Sequence, residues 1–334
     1  MTAQLLQRPL ADWLTAHTGD PGPWELTRLT GGNSNETCLL SGADAGFVLR
    51  RPPSHALSAS AHSVAREHRL LSALAPTPVR APRPVALCED PEVPLAPFLV
   101  MEHVRDSVSI TDTLPYPETD LTKVADEVID ALAAVHTLDW RAAGLTGFGR
   151  PERFLDRQVT RWYRQWEGIA RRPLPAMPKI ATWLDEHQPA GSEPALLHGD
   201  FHLDNCLFAA HEPRLAAVID WEMATIGDPL LDLGLLLALW GERGTAMPAI
   251  QAVSRVPGAP GRGHLLARYE DAVGRTIPDV RYYRCLALFK LAAIVEAAWS
   301  QFLTGELTTD YAAALEHDVP ALLDDALATA GVTP

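Results

Sequence analysis

The sequence predicts an α+β chain of two unequal lobes, a small β-rich lobe over residues 1–103 and a larger, mainly helical one over 104–334. Three observations lead there. At 334 residues the chain exceeds the size at which one hydrophobic core usually keeps growing, so two packed lobes are expected. Short β-compatible runs separated by turn residues fill the first 100 positions, and after Val104 the apolar spacing becomes helical. Hydrophobic residues at 47% and charged residues at 21% are those of a packed globular chain, not a disordered one.

In the first lobe, Trp24 to Thr30, Thr37 to Ser41 and Phe47 to Arg51 read as strands bounded by Gly and Asn turn signals. A helix is expected over about Ala59 to Ala75, with Val64, Leu70, Leu71 and Leu74 roughly on one face. The stretch Pro76 to Pro97 is too rich in proline for a continuous helix, and it leads into the apolar strand Phe98 to Met101. In the second lobe, Leu121 to Leu138 reads as a long helix with Thr119 or Asp120 available as its cap. Phe154 to Ala170 is a second helix, rich in Trp and Arg and ended by the turn Pro173 to Pro178. Short apolar runs at Ala195 to Leu197, Leu207-Phe208 and Ala216 to Ile219 bracket polar loops. From Leu230 the pattern is helical again, broken at Pro257 to Gly261, and its longest member runs from about Tyr282 to Leu303.

Charge excludes two classes of partner. A formal net charge of −14 argues against general nucleic-acid binding, which needs a cationic surface to displace phosphate counterions. It equally disfavours docking on anionic membranes. The longest clean apolar run, Leu233 to Trp240, is too short to span a bilayer. Met1 to Gly19 lacks the apolar core of a signal peptide. Four scattered cysteines without a CxxC pair point away from disulfides and zinc knuckles, so a reduced cytoplasmic setting is expected. Monomer and homodimer stay equally open.

The densest polar cluster is His198-Gly199-Asp200-Phe201-His202-Leu203-Asp204-Asn205, just after the apolar run Ala195 to Leu197. Asp220 closes the run Val218-Ile219-Asp220 and is followed by Trp221-Glu222. Carboxylates and an amide on loops between short buried strands are rigidly placed yet open to solvent. That suits hard-cation chemistry, because Mg2+ takes oxygen ligands and shares them with substrate phosphates. On one reading Asn205 and Asp220 hold the metal while Asp200 orients a hydroxyl. On another, His198, His202, Asp200 and Asp204 form a transition-metal site of a hydrolase.

These residues, followed by Gly227-Asp228-Pro229 and Asp232-Leu233, resemble the aminoglycoside-phosphotransferase-type branch of the protein-kinase-like fold. The resemblance covers about residues 20 to 310 and is closest to the subgroup similar to phosphotransferase domains fused to some acyl-CoA dehydrogenases. Leu145 to Arg150 and Arg157 to Trp162 resemble that subgroup too. The resemblance implies a bilobal fold with an antiparallel amino-terminal sheet, and a kinase that uses ATP and Mg2+ on a small-molecule hydroxyl acceptor. It implies that Asp200 is catalytic, that Asn205 and Asp220 bind Mg2+, and that His198 and Asp232 brace the loops.

The first lobe supplies matching parts. Gly31-Gly32-Asn33-Ser34-Asn35 fits a loop whose small residues let backbone N–H groups approach phosphate. The commonest kinase pattern places Lys on the neighbouring strand, but the chain has only Lys123, Lys179 and Lys290, all in the second lobe. Arg50 stands at the matching position. Arg51 is the alternative, because adjacent strand residues face opposite sides. Glu67 matches the helix carboxylate that would pair with that cation. In Met101-Glu102-His103-Val104 the backbone of Glu102 and Val104 would read the purine edge, which does not separate ATP from GTP.

For the acceptor, Arg153, Arg157, Arg161 and Arg164 recur at helical spacing among Trp162, Tyr163 and Trp166. Several of these arginines should share a face that suits an anionic or acyl-bearing hydroxyl compound better than a polyamine. Arg157, Arg161, Trp162 and Glu222 are the candidate acceptor residues, and a small hydroxylated metabolite, such as a hydroxyacyl compound, is expected over an aminoglycoside. The alternatives are the metal-dependent hydrolase through His198 and His202 and a nucleotide-binding regulatory protein without catalysis.

Overall fold

A computed structural model describes residues 4–29, 35–52, 63–111, 113–241 and 251–333. The chain opens with β1 (Gln4–Leu5), α1 (Arg8–Thr18), β2 (Glu25–Arg28), β3 (Glu36–Ser41), β4 (Gly46–Arg51), α2 (Val64–Leu74), β5 (Pro84–Cys88) and β6 (Phe98–Glu102). The six strands form one antiparallel sheet in the order β1-β2-β3-β4-β6-β5. Helix α2 begins at Val64, later than the apolar spacing predicts. Ser63 is extended, and its Oγ accepts the Arg66 N–H at 3.2 Å, which ends the helix there as an N-cap.

Strand pleating divides this sheet between two cores. Leu40, Leu49, Phe98 and Val100 pack with Leu10 and Leu14 of α1 and with Trp24. Leu99 and Met101 alternate with them along β6 and pack on the other face with Val64, Leu70, Leu71 and Leu74 of α2, in a core continuous with the second lobe. Pairing in register sets Leu49 opposite Val100 and Arg50 opposite Leu99. Arg50 therefore belongs to the inner face with α2, and Arg51 to the other, where it pairs with Glu36 at 3.4 Å.

Asp20 fastens this sheet at its outer end. Its buried carboxylate accepts the backbone N–H groups of Gly22, Ala43, Asp44 and Ala45 at 2.8–2.9 Å, tying the segment after α1 to the β3–β4 turn. A Cβ on Gly42 would lie 2.5 Å from that carboxylate, so the turn closes only around glycine.

The second lobe adds β7 (Ser107–Ser109), α3 (Leu121–His136), α4 (Gln158–Ile169), α5 (Ala176–Glu186), β8 (Ala195–Leu197), β9 (Cys206–Ala209), β10 (Leu215–Val218), β11 (Thr225–Gly227), α6 (Leu230–Leu239), α7 (Arg262–Val273), α8 (Arg281–Leu303) and α9 (Asp310–Ala330). Strands β7, β9 and β10 form a small sheet, and β8 pairs with β11. The helix expected from Leu121 is present, but neither candidate cap acts: Asp120 makes no capping bond and a 3-10 turn, Glu118–Asp120, leads in instead. The proline-rich segment expected as a turn opens α5, with Pro178 in its first turn where no N–H is required. Helix α8 is long and apolar enough to cross a membrane, yet 67% of its most apolar window is buried in the core. It carries buried Lys290 and Glu296.

Two predictions follow from these ties. Burial pushes the Asp20 carboxyl up, but its four backbone N–H bonds outweigh that and lower it to about 2. A carboxyl lowered on folding contributes stability above its unfolded value, near 4, and loses it as pH falls toward 2. Asp20→Asn should therefore lower Tm at pH 7, with a deficit that shrinks on acidification from pH 5 to pH 2; a pH-independent deficit would contradict this account. Arg50 and Glu67 join β4 to α2 at 2.7 Å with 7% and 2% of their side chains exposed. Arg50→Met strands Glu67 without its cation and should cost about 3–5 kcal/mol in urea unfolding, while Arg50→Met with Glu67→Leu should regain most of it. A single-variant loss below about 1 kcal/mol would show that the pair does not fix α2 on the sheet.

Candidate active site

The turn after β8 is built so that only glycine fits its second position. Gly199 has φ +87°, and a Cβ there would lie 2.3 Å from the Met223 carbonyl oxygen. Asp232 of α6 accepts the N–H groups of His198 at 2.7 Å and Gly199 at 3.0 Å. The His198 ring is fully enclosed; its Nε2 donates to the Ile219 carbonyl at 2.8 Å and its Nδ1 accepts the Asp200 N–H at 3.3 Å. Burial lowers its pKa, so it stands as a neutral brace between this turn and the one after β10. His198 and Asp232, the expected braces, both bond the backbone of these turns.

Asp200 and Asp220 meet across these turns. Burial acts to raise the Asp200 carboxyl, but the charges of His202 and then Lys290 outweigh it and hold it well below the usual carboxylate range. Asp200 is thus an ionised carboxylate. Asp220 sits at φ +67°, a left-handed conformation unusual for a side-chain-bearing residue, and its Oδ1 is 2.8 Å from Arg50 Nη2. Glu222 approaches the same nitrogen at 3.4 Å. Arg50 is therefore surrounded by Glu67, Asp220 and Glu222, and these carboxylates keep it a cation despite burial.

One cleft of about 720 Å³ gathers Asn35, Arg50, Glu67, Glu102, Val104, Asp200, Asn205 and Asp220 along its walls. Of the predicted phosphate loop, Gly31, Gly32, Asn33 and Ser34 lie outside the described residues. Asn35 is 4% exposed, and its amide has no hydrogen-bond partner among the described residues. Glu102 uses its own N–H on the Arg83 carbonyl at 2.8 Å, a bond of the sheet edge.

The donors suit a hard cation. Asn205 Nδ2 donates to the Asp200 carbonyl at 2.9 Å, which leaves its Oδ1 as the ligand atom, and the Asp220 side chain is 35% exposed. Two oxygen donors fit Mg2+, which completes its shell with water and phosphate. The transition-metal reading fares differently. Both His198 nitrogens are bonded to backbone, and among the described residues no group of three or more His, Cys, Asp or Glu side chains converges to hold a metal.

Behind Gly199 and Glu222 lies a second cavity of about 670 Å³, lined also by Arg66, Arg157, Arg161, Trp162 and Lys290. Here the expected arginine face is corrected. Arg157 donates to the carbonyls of Arg150, Glu152 and Arg153 and so ties down the loop before α4. Arg153 pairs with Asp156 at 2.6 Å, and Arg164 lines a separate groove between α4 and α5. Arg161 remains, its guanidinium 4.6 Å from the Trp162 ring. Two further cations were missed by sequence reasoning. Arg66 stacks on Phe148 at 3.7 Å, and Lys290 donates to the Gly199 carbonyl. The available signal for Lys290 was a charge flanked on both sides by apolar residues in a long helix.

Comparison with known proteins bears on the family and the fold. The pattern of the phosphotransferase enzyme family matches residues 25–279. Acyl-CoA dehydrogenase family member 11 of Mus musculus is 32% identical over 292 residues, covering 85% of this chain but 37% of that protein. The chain thus spans less than two fifths of the length of that relative. A Ralstonia eutropha protein assigned to the aminoglycoside phosphotransferases superposes with a TM-score of 0.82 at 30% identity, over 98% of this chain and 99% of that one. The aminoglycoside phosphotransferase APH(4)-Ia, solved with AMP-PNP and hygromycin B, shares the fold at a TM-score of 0.60 and 16% identity, over 96% and 99% of the two chains. With a family match across most of its length, and relatives that include an acyl-CoA dehydrogenase family member, the chain belongs to the phosphotransferase enzyme family and has its protein-kinase-like fold.

Proposed function

We propose that this chain is a cytoplasmic, ATP-dependent small-molecule kinase. It transfers the γ-phosphoryl group of ATP to the hydroxyl of a small hydroxylated metabolite carrying an anionic or acyl group, such as a hydroxyacyl compound. The observation that carries the reading is the position of Asp200, an ionised carboxylate at the junction of two cavities. One holds Arg50, Asn205 and Asp220; the other is lined by cations and reaches Gly199, the residue before it. An aminoglycoside is a polycation, and Arg66, Arg161 and Lys290 repel it.

Phosphoryl transfer asks a protein for positioning and charge neutralisation more than for covalent chemistry. Asp200 orients the acceptor hydroxyl and takes up its proton as the oxygen bonds to the γ-phosphorus. The bond from that phosphorus to the bridging oxygen breaks, and ADP leaves with the electron pair. Arg50, held by Glu67, offers its permanent charge to the phosphates, and the Glu102 carbonyl with the Val104 N–H serves the base. Mg2+ held by Asn205 and Asp220 supplies neutralisation of the phosphate oxygens. The Ile219 carbonyl and Asp232 fix His198, which keeps Asp200 and Asp220 at a constant separation.

Two measurements test this reading. MgATP at 100 times its Kd should stabilise the wild-type protein by about 2.7 kcal/mol, seen as a raised Tm, and Asp220→Ala should abolish the Mg2+ dependence of that rise. Equal stabilisation of variant and wild type would remove Asp220 from the metal site. Asp200→Asn should reduce phosphoryl transfer roughly 10²–10⁴-fold while nucleotide binding persists, read as ADP release with a hydroxyl-compound panel. An unchanged rate would take Asp200 out of the reaction.

A further inference from the structure

Lys290 is 6% exposed in the middle of α8, where a charge is costly unless something compensates it. Among the described residues its ammonium has one polar partner, the Gly199 carbonyl, and no carboxylate within ion-pair distance. Asp200 and Asp232 offset part of its charge from beyond contact, and Arg161 opposes it. Both cations lie near Trp162, its ring centre 5.5 Å from Lys290 and 4.6 Å from the Arg161 guanidinium. Both line the second cavity. Two cations on one tryptophan, with the Glu222 carboxylate of the same cavity drawn to Arg50 at 3.4 Å, make a cradle for an oxyanion. An ammonium has three N–H donors, and the Gly199 carbonyl accounts for one.

We propose that Lys290 is a positioning residue joining acceptor recognition to the catalytic turn. With Arg161 it receives an oxyanion of the acceptor, while its bond to the Gly199 carbonyl holds the neighbouring Asp200 in register. This rests on the kinase reading above and adds to it the residue that senses the acceptor's charge. Since the Gly199 N–H is held by Asp232 at 3.0 Å, its carbonyl is a stiff handle on Asp200. An acceptor that engages Lys290 therefore meets the carboxylate at a set distance, and one without an oxyanion leaves Lys290 uncompensated.

The test uses two matched pairs of hydroxyl compounds, one member of each carrying an oxyanion: 6-hydroxyhexanoate against 1,6-hexanediol, and glycerol 3-phosphate against glycerol. The pairs distinguish a carboxylate from a phosphate. Binding is measured by calorimetry with and without MgADP, on wild type and on Lys290→Met. Wild type should favour the charged member of at least one pair by roughly tenfold, and Lys290→Met should bring that ratio close to one. A merely structural lysine would weaken both members alike and leave the ratio standing. Absence of preference in both pairs, or its survival in Lys290→Met, overturns the proposal. Should Lys290→Met not fold, Arg161→Gln, which changes an exposed side chain, should lower the same ratio, and an unchanged ratio overturns it. The ratio is also read without nucleotide, so a missing MgATP shift in wild type would sink the kinase reading separately.

Discussion

The Arg50 guanidinium is the contact on which the cleft depends. It lies buried between Glu67 of α2 at 2.7 Å, Asp220 at 2.8 Å and Glu222 at 3.4 Å, so one side chain of the sheet is fastened to a helix and to a loop of the other lobe. Arginine is suited to this because its fork can satisfy two carboxylates at once and it does not lose its proton on burial. Three carboxylates around one cation leave the site short of positive charge. In the proposed reaction Mg2+ held by Asn205 and Asp220 would meet that shortage. Glu222, which lines the second cavity, also reaches Arg50 of the first at 3.4 Å and so links the two.

Much of the amino-terminal sheet was legible because its strands alternate cleanly between two cores. The phase of β4 was not. In Leu49-Arg50-Arg51 either arginine could have faced inward, and only the pairing of Leu49 with Val100 and Arg50 with Leu99 decides it. That register is a property of three strands together and cannot be read along one. Helices α1, α5 and α9 escaped for local reasons. Helix α1 buries chiefly Leu10 and Leu14, α5 starts among prolines, and α9 carries Pro320 within it. In each case tertiary packing holds a helix that apolar spacing or proline placement argues against.

The candidate cluster could be found because its residues are close in sequence; of what stiffens it, the family resemblance pointed to His198 and Asp232, but nothing pointed to Lys290. Asp232 and Lys290 reach the Gly199 turn from two helices far along the chain. The arginines of α4 show the converse error. Helical spacing grouped them, but Arg157, though it lines the second cavity, is bonded to the carbonyls before the helix, and Arg164 faces a different groove. Spacing tells which side chains can share a face, not whether a backbone oxygen lies nearer than the ligand.

Net charge and site charge point in opposite directions here, and the site is what a substrate meets. An excess of acidic groups giving −14 overall slows the approach of any anion, and salt at physiological strength screens that field within about 8 Å. Inside the second cavity screening is weaker, and Arg66, Arg161 and Lys290 dominate. Two of them are partly neutralised by stacking on Phe148 and Trp162, whose ring faces favour cations without competing as hydrogen-bond acceptors. Arg66 spends one N–H on the Ala224 carbonyl at 2.8 Å, and its other donors face the cavity. A pocket that holds two of its cations on aromatic faces keeps much of their charge available, and this supports the proposed anionic acceptor over a polycation.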